Sequence, residues 1–403
     1  MTNPTSLTNP LAGRLRVGPW TAFLYLLLAI GAVAAVLRYT RGLAAVTNLS
    51  DRFPWGLWIG FDVLCGVGLA AGGFTITTAV YVFNVRRLRP IVRPTILTAF
   101  LGYVLVIVAL LFDLGRPWNL WRPVVLWNPR SVMFEVAWCV MLYTTVLGLE
   151  LSGMVFERLG WRRALAVQKA VVLPLVICGA LLSTLHQSSL GSLYLIVPGK
   201  LHALWYTPLL PVVFFVSSIA VGLAMVIVES RLSSRAFGRR LELPLLSEVA
   251  RILVAVLFVL AVLRVYDLGH RGALGLALGG SRESLFLGLE LLLGIALPLA
   301  LLATERSRQD EARLYLGALL VVAGFVTNRL NVSITGFEAA QGGGYVPAWT
   351  ELAITLMLVA VGFAAFSLAV KHLNVYPPEA PEAAPPAEPR AALLGRAAEA
   401  MRG

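Results

Sequence analysis

The chain has 403 residues, of which 58% are hydrophobic and 13% charged, against about 25% charged in an ordinary soluble protein. A mean hydropathy of +0.81 excludes a water-soluble fold, because too little polar surface is left to cover so large a core. The net charge of +12 does not point to nucleic acid, since the basic residues sit in short segments between apolar runs, as in membrane proteins.

Residues 1–18 are polar, carry Arg14 and Arg16, and read as a cytoplasmic segment. The apolar run at 19–38 is longer than the roughly 7–15 residues of a signal-peptide core and shows no persuasive cleavage site, so it predicts a retained signal-anchor helix. Further apolar runs lie near 57–83, 94–113, 131–154, 166–187, 203–229, 249–267, 284–304, 312–330 and 350–371. Each approaches or exceeds the roughly 20 residues a spanning helix needs and is far longer than a membrane strand. The expected fold class is an all-α polytopic membrane protein with about ten transmembrane helices. The tail at 376–403, rich in Pro, Ala and Glu, reads as disordered.

Of the 33 Lys and Arg residues, 22 fall on the amino terminus, the even-to-odd loops and the carboxyl tail. The positive-inside rule makes that side cytoplasmic, so both termini are expected on the cytoplasmic side of a bacterial inner membrane. The opposite loops, at 48–55, 115–130, 188–200, 269–282 and 331–349, are rich in Trp, Pro and Gly. They supply an interfacial aromatic belt and are expected to form a platform for a partner. An internal repeat pairs Asp113-Leu114-Gly115 with Asp267-Leu268-Gly269, Glu135 with Glu290, and Glu150 with Glu305. It suggests two parallel-repeat four-helix bundles plus flanking helices. The organisation then reads as a first helix and loop (19–56), a first unit holding the site (57–202), a second unit (203–349) and a last helix (350–375).

Ionisable side chains inside a bilayer are costly and mark function by default. Asp62, Asp113, Glu135 and His186 all fall toward the non-basic side of the first unit, and Arg264, Asp267, Glu290 and Arg329 lie at similar depth in the second. For residues at helix ends, such as Asp113, Asp267 and Glu351, the alternative is a charge that snorkels to water. A carboxylate and an imidazole near a lipid-accessible cleft suit quinone chemistry, in which protons accompany electrons. His186, with a near-neutral unperturbed pKa, is the first candidate, followed by Glu135 and Asp62 as proton relays. Glu150, Glu157, Glu229 and Glu305 read as residues of the basic helix ends, leaving a partial proton path. On spacing alone, one haem between His186 and either His202 or His270 stays open, since histidine is its usual membrane ligand. Cys65, Cys139 and Cys178 match neither a cluster nor a zinc pattern, so no metal is expected. The run Gly66–Ala71 fits a loose dinucleotide fingerprint but lacks a preceding strand. With Gly72 and Gly73 it reads as a surface for close helix packing. Asn331-Val332-Ser333 matches a glycosylation acceptor only in its three letters.

The stretch from Asn48 to Trp58, running into Gly60-Phe61-Asp62, resembles the NrfD/PsrC superfamily and its HybB-type branch. So do Asp113-Leu114-Gly115-Arg116-Pro117 and Leu185-His186-Gln187-Ser188-Ser189-Leu190-Gly191. The resemblance spans roughly residues 15–372. It implies a membrane subunit of a respiratory oxidoreductase of the hydrogenase or polysulfide-reductase-like type, not catalytic by itself. It also implies a menaquinone or ubiquinone site near the periplasmic face, and no haem or iron–sulfur cluster in this chain. The implied partners are a periplasmic ferredoxin-like iron–sulfur subunit and a larger catalytic redox subunit. Site roles carry over to Asp62, Asp113, Arg116 and His186; Glu135 rests on its position alone. A proton-translocating module and a passive anchor are the competing readings.

Overall fold

The computed structural model describes residues 18–196 and 199–376. The expected cytoplasmic segment before residue 18 and the expected disordered tail after Tyr376 lie outside the described residues. Ten described helices are long and apolar enough to cross a membrane. They are α1 Pro19–Arg41, α2 Trp58–Tyr81, α3 Arg86–Asp113, α4 Val132–Leu159, α5 Arg162–Leu193, α6 Leu210–Phe237, α7 Leu243–His270, α8 Arg282–Leu302, α9 Glu311–Gln341 and α10 Trp349–His372. Among the described residues no strand forms. In a bilayer each helix satisfies its own backbone, so this chain meets the central constraint on membrane folds.

α2 packs on α3 and α5, α3 on α4, and α4 along α5; α6 packs on α7 and α9, and α8 joins α7 to α9. α2 and α6 hold the centre, whereas α1 pairs with α10, which rests on α3. Association inside lipid depends on close packing, because the tails are as apolar as the side chains. The glycines supply it. A Cβ on Gly222 of α6 would stand 2.7 Å from the backbone nitrogen of Gly72 on α2, and Gly294 of α8 meets Gly324 of α9 in the same way. The glycine run of α2 is therefore a packing surface, as its sequence suggests.

Several helices outrun their apolar signal, α5 and α9 among them. α5 continues past residue 187 to Leu193, and α9 passes Leu330 through a π-helical turn, Asn331–Thr335, to Gln341. The residues there are polar but face protein. Asn331 donates to the Glu290 carboxylate at 3.0 Å and Ser333 to the Arg329 carbonyl at 2.8 Å. Hydropathy reports contact with lipid, so it stops where these contacts begin. Asn331 is buried, which removes it as a glycosylation acceptor. The paired carboxylates of the suggested repeat also differ in surroundings: Glu290 is buried and ion-paired with Arg264, while Glu135 is half-buried.

Candidate functional site

At the end of the molecule away from the basic loops, α1, α2, α3 and α10 bring several charges together. Asp62 lies in the π-helical opening of α2, Trp58–Val63, and its Oδ2 accepts a hydrogen bond from Thr355 of α10 at 2.9 Å. Such π-helical turns are frequent at functional sites. Asp113, at the end of α3, is close enough to Asp62, Arg38 and Glu351 to interact with their charges. Arg38 of α1 is buried and donates from Nε to the Phe112 carbonyl and from Nη2 to the Leu114 carbonyl, both at 2.7 Å. It caps the carboxyl end of α3, where a cation opposes the helix dipole.

Glu351 of α10 is 0% exposed. Its Oε1 accepts the backbone N–H groups of Asn48 and Ala348 at 3.0 Å each, and its Oε2 accepts the Tyr345 hydroxyl. Tyr345 in turn accepts the Leu57 N–H at 2.8 Å. Burial, together with its bond to the Glu351 carboxylate, holds the Tyr345 phenol above the ordinary tyrosine range. Glu351 thus does not snorkel to water but ties the Asn48–Trp58 segment to α10. Phe53 stacks on Tyr345 at 4.8 Å between ring centroids, and Trp55 packs edge-on against Tyr194 at 5.4 Å. The segment closes this end of the bundle with aromatic contacts.

His186 is elsewhere. It sits inside α5 at 0% exposure, two turns before the helix ends, and its Nε2 lies 2.5 Å from the Tyr103 hydroxyl of α3. Nδ1 lies 2.7 Å from the Leu182 carbonyl. A carbonyl only accepts, so Nδ1 carries the proton and Nε2 of a neutral ring accepts from Tyr103. The Tyr143 ring of α4 stands 4.7 Å from Tyr103 and 5.8 Å from His186, centroid to centroid. Around this pair the Tyr143 hydroxyl, the Ser183 hydroxyl and Gln187 Oε1 are buried without a hydrogen-bond partner among the described residues. Buried polar atoms are normally satisfied. Three such atoms surround one imidazole, and Ser183 and Gln187 are close enough to the Tyr103 hydroxyl to interact with it. Tyr103 precedes Asp113 by ten residues of α3, about 15 Å along that helix, so the partner of the imidazole is set back from the carboxylate cluster.

The predicted residues thus divide. Asp62 and Asp113 come together at the surface end, and His186 lies below them in the α2–α5 bundle. Glu135 occupies the first turn of α4, half-buried, with no hydrogen bond or ion pair to its carboxylate among the described residues. Arg116 is exposed on the α3–α4 loop and joins neither group. The second half holds a separate network. The Glu290 carboxylate pairs with Arg264 and accepts from Asn328 at 2.8 Å, Asn331 at 3.0 Å and Trp205 at 3.0 Å. Asp267 is likewise buried, paired with Arg271 at 2.7 Å. Glu150 is not at a helix end but buried in α4. It lines a cavity of about 140 Å³ with Tyr81, Arg93, Glu157 and Gln168 that lies toward the basic loops.

Sequence reasoning missed Tyr103, Tyr143, Ser183 and Arg38. Gln187 was within reach, being the neighbour of His186 in a recognisable segment. The tyrosines and Ser183 leave no trace in a hydropathy scan. Haem does not fit the environment of His186, because both ring nitrogens already have partners and neither is left for iron. No grouping of three or more His, Cys, Asp or Glu suited to a metal ion occurs among the described residues.

A family model described as Polysulphide reductase, NrfD matches residues 45–339. A protein of Nitratidesulfovibrio vulgaris is 42% identical over 345 residues, covering 83% of this chain and 88% of the relative. The probable Ni/Fe-hydrogenase 2 b-type cytochrome subunit of Escherichia coli is 36% identical over 376 residues, 92% of this chain and 95% of its own. The menaquinone reductase integral membrane subunit of Nitratidesulfovibrio vulgaris is 27% identical, with 90% and 92% covered.

Proposed function

Because this chain belongs to the polysulphide reductase NrfD family, we propose that it is the quinone-reactive membrane subunit of a respiratory oxidoreductase complex. It passes electrons between the membrane quinone pool, menaquinone or ubiquinone, and an iron–sulfur partner subunit attached to a larger catalytic redox subunit. The observation that carries this reading is the buried His186–Tyr103 pair with its three buried polar neighbours. One relative is named for menaquinone reduction, which supports the same substrate class.

The part played by the chain's own residues is to hold and move protons. The Tyr103 hydroxyl can hand its proton to His186 Nε2 as it takes one up from the quinol side. The Tyr143 hydroxyl is available to donate to a quinone oxygen, and Gln187 Oε1 to accept from a quinol hydroxyl. Asp62, Asp113 and Glu135, nearer the surface, carry protons onward, with Arg116 on the same rim. The excess of Lys and Arg on the opposite loops supports a periplasmic position for this end and a cytoplasmic one for both termini. The aromatic cap built on Asn48–Trp58 is then the face on which the partner docks. Purification in mild detergent, with mass spectrometry of what accompanies the chain, tests this. A cysteine-rich, ferredoxin-like protein and a larger exported redox subunit are the expected companions. The chain alone, under conditions that keep other respiratory complexes whole, contradicts the proposal.

A second reading, proton translocation, draws on Glu150. It lies seven residues, about 10 Å, along α4 from Tyr143, and its cavity extends toward the basic loops. Turnover in sealed liposomes would then move more protons than quinone chemistry alone accounts for, and Glu150→Gln would abolish the excess. No excess in the unaltered protein refutes this reading.

A further inference from the structure

Two cavities toward the basic end share a wall. One, of about 270 Å³, has a mixed lining in which Ser230, Ser233, Ser234, Arg239 and Arg240 stand among apolar residues such as Ile91, Leu241 and Leu245. The other, of about 410 Å³, is mostly apolar and lies between α1, α3, α6 and α10, lined by Trp20, Leu101, Leu105, Phe363 and Phe366 among others. Ser233 borders both. One face of α3 runs from Pro94 in the first cavity to Leu105 in the second, a descent of about 16 Å. That is close to half of a hydrocarbon core roughly 30 Å thick.

The charges match an anion at the mouth of this cleft. Arg239 and Arg240 make no ion pair among the described residues, and Arg239 lies 4.0 Å over the Tyr376 ring. Glu242 is the one carboxylate in the lining of the first cavity, so the mouth remains positive. One turn below Pro94, the Thr98 hydroxyl lines the apolar part beside Glu229, close enough to interact with its carboxyl. Thr98 and Glu229 thus supply polar groups at the depth of a lipid ester. A phosphate at the mouth, an ester below it and a hydrocarbon chain beneath are the groups of a phospholipid in their natural order.

We propose that these two adjoining cavities together bind one anionic phospholipid. Its phosphate lies among Arg239, Arg240 and the serine hydroxyls, and one acyl chain lies between α1, α3, α6 and α10. The lipid fills the space between the α1–α10 pair and α6. The site is distinct from the His186 cluster, which sits in the α2–α5 bundle.

The test uses the full chain, delipidated in mild detergent and offered phosphatidylglycerol or phosphatidylcholine, with occupancy read by native mass spectrometry. The expected result is one phosphatidylglycerol per chain, held in preference to phosphatidylcholine. Arg239→Gln with Arg240→Gln should weaken its binding about thirtyfold, since each basic residue near a headgroup contributes on the order of 1 kcal/mol. Ser367→Trp, which narrows the cleft without touching the arginines, should reduce retention independently. Equal retention of the two lipids, or unchanged affinity in both variants, overturns the proposal. So does displacement of the lipid by inorganic phosphate alone, which would make this a simple anion site, or by a short-chain quinone analogue, which would make it a quinone cleft.

Discussion

Replacing Tyr103 by Phe separates a structural from a chemical role for the buried imidazole. The substitution removes one hydroxyl and leaves the ring, so the edge-on packing against Tyr143 at 4.7 Å survives. His186 keeps its Nδ1 bond to Leu182 at 2.7 Å, which still anchors the ring. Nε2 loses its hydrogen-bond partner in a site that is 0% exposed. An acceptor left unsatisfied in such a place costs about 1–3 kcal/mol, measurable as a lower unfolding temperature in mild detergent. If Tyr103 and His186 pass a proton during quinone turnover, the variant also loses the contribution of positioned acid–base chemistry, about 10²-fold or more in rate. The assay is quinone-linked turnover of the reconstituted complex, run beside thermal unfolding of the same preparation. A variant that loses stability but keeps its turnover within about twofold refutes the relay and leaves the pair a packing feature.

Glu290→Gln leaves Arg264 buried beside a neutral amide and should destabilise the protein by about 3–5 kcal/mol, read by thermal unfolding; a change below about 1 kcal/mol would mean that the other donors carry the network. Gly222→Val drives a branched side chain into the backbone of α2 at Gly72, and overpacking of this kind costs about 1–3 kcal/mol, so lower detergent stability is expected and an unchanged value would contradict the close approach. Asp62→Asn and Glu135→Gln should each slow quinone-linked turnover while the complex still assembles. Unaltered rates in both would remove the surface carboxylates from the proton route.

The helices were legible because lipid imposes a simple rule on every residue that faces it, and long apolar runs such as 94–113 obey it. The rule is silent wherever a helix faces protein, which is why the ends of α5 and α9 were read short at residues 187 and 330. It also misreads depth. Glu351 looks like an interfacial charge from its place at a helix end, yet three donors contributed by the loops before α2 and α10 enclose it. No local pattern announces that Asn48 will reach α10 across the fold. His186 was found because an imidazole in a membrane run is conspicuous, whereas Tyr103 and Tyr143 are ordinary members of apolar stretches. Their part emerges only when α3, α4 and α5 pack together. Asp62 and Asp113 were expected with His186 in a single pocket. The ten-residue interval between Tyr103 and Asp113 on α3 separates them, and that interval becomes visible only once the partner of His186 is known.

The most direct test of the quinone assignment is photolabelling of the assembled complex with an azidoquinone, followed by mapping of the labelled peptides. The label is expected on α3 and α5 near Tyr103 and His186, and it should be suppressed by excess unlabelled quinone. Labelling confined to α6–α9, or to the cleft between α1 and α10, with α3 and α5 unmodified around those two residues, would contradict the account.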